Sequence, residues 1–549
     1  MKEKKLAKIN ISTRRTIILT TVSIFITIAM VFGYQIDKYS MIHVRFITVI
    51  ALLAGIIMTF VSLYIIFYLF DFIKAKGNLK KELSKWKIFL LIFGIIIIVW
   101  FINFLALYPG LFVFDASWQW DMYQGKEPLS EHHPILHTLL MGYIVDWVYS
   151  ATNSFNAGVA VYTMFQMVIC ALSFSYMITY VYEKIRSYPV LILSVLFISF
   201  HPTIILQVMS STKDTCFLAF ALLSMVLSLE LIENPDLFLH KFTKCFGLVM
   251  SVTLMVIFRN NCIYALPFLL FFTFIFIKRE KKRFMGIVLM FGILFLLYKC
   301  VFVPNVITAE TDGREMLSVP VQQLMRIYNS ENADIESEER EAIEKLIEEN
   351  GRLYYDPKIS DWPKAQLDMD YYRKNQAEVN GIYIDLIRRN FKLSVESFLE
   401  NTCGFWYPFS KLAISYNTEA YWVFTDYGWY SVVNSKFPLV YDLYKHFESY
   451  KFAEGKPLTM LFYAPATYFY IFLVMAAYAI DQNKKKFITI CAFVLMLWCT
   501  YLLGPVALVR YTTYLFAMVP LYFVIIMEKE DKTINIDEKI CNQKAEQLK

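Results

Sequence analysis

The chain reads as an all-α polytopic membrane protein, a helical bundle of about twelve transmembrane helices carrying a mainly helical extracytoplasmic loop domain. Three observations predict it. Of 549 residues, 57% are apolar and only 18% are charged, where a soluble domain has about a quarter charged. The apolar residues fall in uninterrupted runs of about 20, long enough to cross a bilayer. Basic residues gather in short blocks between those runs, at 2–15, 74–87, 278–283 and 484–486, as expected of loops retained on the cytoplasmic side. The formal net charge of +6 is therefore a topology signal. It is not read as a nucleic-acid surface, because the basic residues are not interleaved with aromatics on a polar face.

Holding all four blocks on one side requires an even number of crossings between each pair. Helices at 16–33, 46–72, 88–107, 157–182, 188–207, 215–232, 244–258, 261–277, 284–303, 458–480, 487–507 and 511–527 satisfy this, with both termini cytoplasmic. The first run follows a basic tail and lacks a small-residue cleavage site, so it is expected to be retained as a signal anchor. The run 135–148 would break the parity if it crossed. It is short and carries His137 and Asp146, which predicts an amphipathic helix on the outer surface, entered through Pro134. Only Arg259, Asn260 and Asn261 separate two of the spans, predicting a tight outer hairpin.

The segment 304–457 is the one long hydrophilic piece, and parity places it outside. It offers helix candidates at 337–350 and 382–401, followed by Phe405, Trp406 and Tyr407, expected at the membrane interface. The chain then divides into an N-terminal tail with two helices (1–75), a membrane core (76–303) with a first outer loop at 108–156, the extracytoplasmic domain (304–457), C-terminal membrane helices (458–527) and a cytoplasmic tail (528–549). Nine cysteines without CxxC or zinc-type spacing predict neither disulfides nor a zinc site.

On this topology the unusual polar residues share one side. Asp115, Asp121, Glu131, His132, His133, Lys213, Asp214, Arg259 and Arg510 all map to outer helix ends or to the first outer loop. Acids, bases and cations converging from separate stretches suit an anionic, membrane-borne substrate. Asp115, five residues after the Pro109-Gly110 step, suits a general base whose pKa partial desolvation would raise; the alternative is an N-cap of a helix starting at Ala116. Asp121 is a second candidate of the same kind. His132 and His133 suit phosphate or metal binding, or interfacial hydrogen bonding. Lys213 and Asp214 open an apolar run after Ser210, Ser211 and Thr212, which fits a phosphate site at a helix start or simple capping. Arg259 and Arg510 suit a bidentate grip on phosphate, or snorkelling to lipid headgroups.

These motifs together resemble the GT-C superfamily, polytopic glycosyltransferases that use polyprenyl-phosphate sugars, and in particular its Gram-positive members. The resemblance rests on Asp115 after Tyr108-Pro109-Gly110, the His133-Pro134 step, the Lys213-Asp214 step and the late Arg510-Tyr511 pair, over roughly 88–277 and 500–525. It implies that Asp115 deprotonates an acceptor hydroxyl, while Lys213, Arg259 and Arg510 bind the donor phosphate. His132, His133, Asp121, Asp214 and Tyr511 would orient the substrates. Heavy use of isoleucine, lysine and phenylalanine points to an AT-rich bacterial genome, and with it to a bacterial cell membrane and an envelope acceptor: a cell-wall polymer, surface polysaccharide or glycolipid. No cofactor is required, though a divalent cation is compatible. No Walker or Rossmann motif calls for a nucleotide, and no nucleic-acid partner is expected. Residues 1–75 add two helices to the family pattern, and 304–457 lacks a known acceptor-binding signature. The alternatives are a lipid-linked glycan flippase or transporter, which would show internal repeats and midplane polar residues, and a glycan polymerase or ligase.

Overall fold

The computed structural model describes residues 12–74, 84–311, 313–410, 430, 433–448 and 460–528. The start of the basic tail, positions 75–83 of the second basic block, parts of the 304–457 segment and the C-terminal tail beyond 528 lie outside the described residues. Within them the chain is helical without a strand, and seven helices are long and apolar enough to cross a membrane. It is a multi-pass, all-α membrane protein.

α1 (Thr13–Tyr39) starts at Ser12, whose side chain accepts from the Arg15 N–H, and leads to α2 (Phe46–Lys74) and α3 (Lys85–Ala106). The first large loop holds α4 (Phe114–Tyr123) and α5 (Ile135–Thr152). α5 is the helix expected at 135–148, but it does not lie free on a surface. Ile135, His137, Met141 and Val145 are buried while Tyr143 and Trp147 are exposed, and one face packs along α6 (Phe155–Ile185). A Cβ on Gly158 would collide with the Val145 backbone, so that close approach depends on glycine.

The run expected as a span at 188–207 is a bent pair of helices, α7 (Tyr188–Phe200) and α8 (Pro202–Met209), 52° apart. Pro202 supplies no N–H to the helix ladder and its ring obstructs the preceding turn, which accounts for the break. α9 (Lys213–Glu233), α10 (Pro235–Leu239), α11 (Phe242–Phe258), α12 (Cys262–Phe276) and α13 (Lys281–Leu296) follow.

Residues 314–406 form a helical unit with its own core around Leu324, Met325, Ile343, Ile347 and Leu386. It contains α14 (Ser318–Tyr328), α15 (Ser337–Leu346), α16 (Glu349–Leu353), α17 (Asp361–Ala365), α18 (Met369–Lys374), α19 (Gln376–Arg389) and α20 (Phe391–Trp406). Two expectations change here. The helix expected over 337–350 ends at Leu346, and the one expected over 382–401 is broken at Asn390. The Asn390 side chain accepts from the Asp334 N–H at 2.8 Å and donates to the Asp334 carbonyl at 2.8 Å, bonds that tie the interhelix corner to a neighbouring loop. Phe405, Trp406 and Tyr407 are buried, not interfacial. α20 inserts among the membrane helices, against α1 and α23 below, and Tyr470 donates to the Trp406 carbonyl at 2.5 Å.

The chain closes with α21 (Pro438–Glu448), α22 (Met460–Tyr463), α23 (Pro465–Asp481), α24 (Lys485–Tyr501), α25 (Val509–Ala517) and α26 (Val519–Met527). The runs expected as spans at 244–258, 261–277, 458–480 and 487–507 are helices of only 15 to 17 residues. The turn at 259–261 does not build a hairpin: α11 packs on α9, whereas α12 leaves it and packs along α24. Ion pairs tie helix ends together at one end of the bundle, Arg15 with Asp71 and Asp481, and Glu233 with Lys184 and Lys486.

Candidate functional site

The site is assembled at the opposite helix ends, by backbone pairing of two loops. Gly110 has φ +114°, which L side chains rarely adopt, and an added Cβ would overlap Thr163 of α6. Just beyond it the Leu111 N–H donates to the Met209 carbonyl at 2.9 Å, and the Ser211 N–H donates to the Leu111 carbonyl at 2.9 Å. This bridge sets the start of α4 against the start of α9. The 208–212 loop is shaped by two buried glutamines. Gln166 donates to the Val208 and Ser210 carbonyls at 2.8 and 2.9 Å, and Gln207 donates to Thr212 and Thr215 at 3.1 and 3.0 Å. Thr513 of α25 donates to Gln207 Oε1 at 3.2 Å, which draws in the last part of the chain.

Five charged side chains meet there. Arg510 Nη1 donates to Asp115 Oδ2 at 2.9 Å, and Lys213 Nζ lies 3.7 Å from the same oxygen. Lys213 also donates to His133 Nδ1 at 3.1 Å. Asp214 is 2% exposed and forms a close ion pair with Arg259, with Arg510 Nε 3.9 Å away. The Arg259 guanidinium sits 4.5 Å from the Tyr511 ring centre and 4.7 Å from that of Tyr501, a cation–π arrangement on two rings. Three cations thus face two carboxylates, leaving one positive charge in excess when His133 is neutral.

Several sequence expectations change. Asp115 is the second residue of α4, whose N-cap is Val113, so it is not a cap. Its pKa is not raised. Burial alone would push it up, but Arg510 and Lys213 outweigh burial and hold the carboxyl far below the usual carboxylate range. Arg259 and Arg510 do not snorkel; both are folded inward onto acids. Tyr511 serves as a ring beside the arginines, 5.3 Å from Arg510. Burial depresses the imidazole pKa of His133 well below its ordinary value, with the Lys213 charge adding to it. His132 shifts the same way for the same causes and lies at the rim, 3.9 Å from Glu315 of the 314–406 unit.

The remaining candidates are elsewhere. Asp121 accepts from Tyr430 and lies 3.6 Å from Lys126. Glu131 pairs with Lys299. Asp146 meets Tyr123. His137 is enclosed between Gln119 Oε1 at 3.0 Å and the Tyr162 hydroxyl at 2.8 Å. Sequence reasoning missed Gln166, Gln207 and Tyr501; for the two glutamines the available signal was an amide inside an otherwise apolar run, and Tyr501 offered none. Among the described residues no three His, Cys, Asp or Glu side chains converge, and the two clustered acids face three cations. That balance of charge suits an anion.

The profile of DUF6020, a family of unknown function, matches residues 125–540. The chain belongs to the DUF6020 family. In this DUF6020 member the matched stretch includes His133, Lys213, Asp214, Arg259 and Arg510, and Asp115 lies just upstream of it. No curated protein and no solved structure matches the chain.

Proposed function

We propose that the chain is a GT-C-type glycosyltransferase of the bacterial cell membrane, moving a sugar from a polyprenyl-phosphate donor to an envelope glycan or glycolipid. The observation that carries this reading is the convergence of Asp115, Lys213, Asp214, Arg259 and Arg510 from four separated stretches into one mostly buried cluster with a cationic excess. In this reading twelve helices cross the bilayer, both termini are cytoplasmic, and the cluster and the 314–406 unit face outward.

The acceptor hydroxyl oxygen attacks the anomeric carbon in line and inverts it, and its proton passes to Asp115 Oδ. The bond between the anomeric carbon and the phosphate oxygen breaks, with its electron pair remaining on the polyprenyl phosphate. Lys213 and Arg510 balance that charge, where exclusion of water strengthens each contact. Arg259, locked to Asp214, supports the arrangement from behind.

A second reading, a lipid-linked glycan transporter, is favoured by the 52° break between α7 and α8, because transporters bind substrates at discontinuous helices. Against it, the charged cluster lies at helix ends and not along their middles. The test is Asp115→Asn at matched membrane levels, with radiolabelled sugar followed from the polyprenyl-phosphate pool to the envelope. A fall in transfer of about a hundredfold or more, with donor accumulating, supports the transferase. Unchanged transfer removes Asp115 from the chemistry and favours the transporter.

A further inference from the structure

Asp115 occupies the position that a phosphate oxygen would need. Its Oδ2 is 2.9 Å from Arg510 Nη1 and 3.7 Å from Lys213 Nζ, and a phosphate oxygen entering the cluster would seek the same two donors. The other acid of the cluster is not available for exchange. Asp214 is 2% exposed at the start of α9, and its partner Arg259 is held between two tyrosine rings. Asp115 and Lys213 form the more open pair, with side chains 18% and 20% exposed.

We propose that Asp115 and the donor phosphate compete for Arg510 and Lys213, so that phosphate binding displaces the carboxylate and turns it toward the acceptor. This rests on the reading of Asp115 as base and of the donor as a phosphate. A carboxylate held by two cations is a weak proton acceptor; one released from them regains basicity. The base is then generated only when donor is present. Water entering without a donor meets an Asp115 already paired with Arg510. His133 contributes by accepting from Lys213 at 3.1 Å, which fixes the ammonium where either anion can reach it.

The experiment is binding of undecaprenyl phosphate, without a sugar and therefore without chemistry, to the purified full-length protein in detergent. Asp115→Asn and Asp115→Ser are expected to bind it about tenfold more tightly than wild type, because a competing carboxylate is gone. Equal or weaker binding by both variants overturns the competition while leaving the donor assignment standing. Absence of binding by wild type and variants alike overturns the phosphate-donor reading, and this inference with it. A measurement on the wild type alone guards against variants that fail to fold. Adding undecaprenyl phosphate is expected to shift a carboxylate band in the infrared difference spectrum, and a spectrum without a carboxylate change overturns the proposal.

Discussion

At the scale of single residues, burial and pairing decide what each group can do. Arg259 compensates a carboxylate that is 2% exposed. Arg259→Ala would leave Asp214 charged and enclosed, and is expected to destabilise the protein by about 3–5 kcal/mol, read as a lowered unfolding temperature in detergent. His137 sets a pH dependence. Burial lowers its pKa to about 3, while an unfolded histidine titrates near about 6.5. Between those values the unfolded chain binds the extra proton, so stability falls as pH falls, by about 2 kcal/mol from this group at pH 5. Melting curves between pH 7 and pH 5 check this, and His137→Gln is expected to flatten the slope. The residue types of the cluster were legible in the sequence, because Asp115, Lys213, Arg259 and Arg510 all fall at helix ends of one parity. Their pairing was not. Asp115 and Arg510 are 395 positions apart, and nothing in local patterning shows that the aspartate is neutralised by the arginine. Gln166 and Gln207 carry no charge to draw attention, yet they shape the loop that aims Lys213.

At the scale of elements, position along the chain was easier to read than partnership. Runs such as 46–72 and 215–232 return as α2 and α9 within a few residues, since apolar length specifies a membrane helix almost alone. The breaks at Pro202 and Asn390 depend on tertiary bonds or on one proline ring within a favourable run. The parting of α11 from α12 depends on α24, which arrives more than two hundred residues later. The bridge between Leu111 and Ser210 is the element-level device of the site. Gly110→Ala strains a backbone at φ +114° and drives a methyl into Thr163. It is expected to displace α4 and reduce transfer at least about tenfold, a loss of roughly 1.4 kcal/mol of transition-state stabilisation. Thr163→Ala beside it relieves the overlap and not the backbone strain, so partial recovery in the double variant checks the cause.

At the scale of the whole molecule, the charge blocks predict that both termini share a side and that the 314–406 unit faces the other. Fusion of a reporter that is active only in the cytoplasm to the C-terminus is expected to give full signal. Cysteines introduced at exposed positions of that unit, such as Glu341, are expected to react with a membrane-impermeant reagent in intact cells. The reverse pattern would reject the orientation. Arg510 stands in α25, and its acid stands in α4, 395 positions earlier. During synthesis Asp115, Lys213, Asp214 and Arg259 have all left the ribosome before Arg510 emerges, so the cluster is electrically incomplete until α25 is made. The arrival of α25 is therefore the closing step in balancing the charges of the cluster. Co-expression of two fragments divided between 449 and 459 would show whether the closing step works in trans.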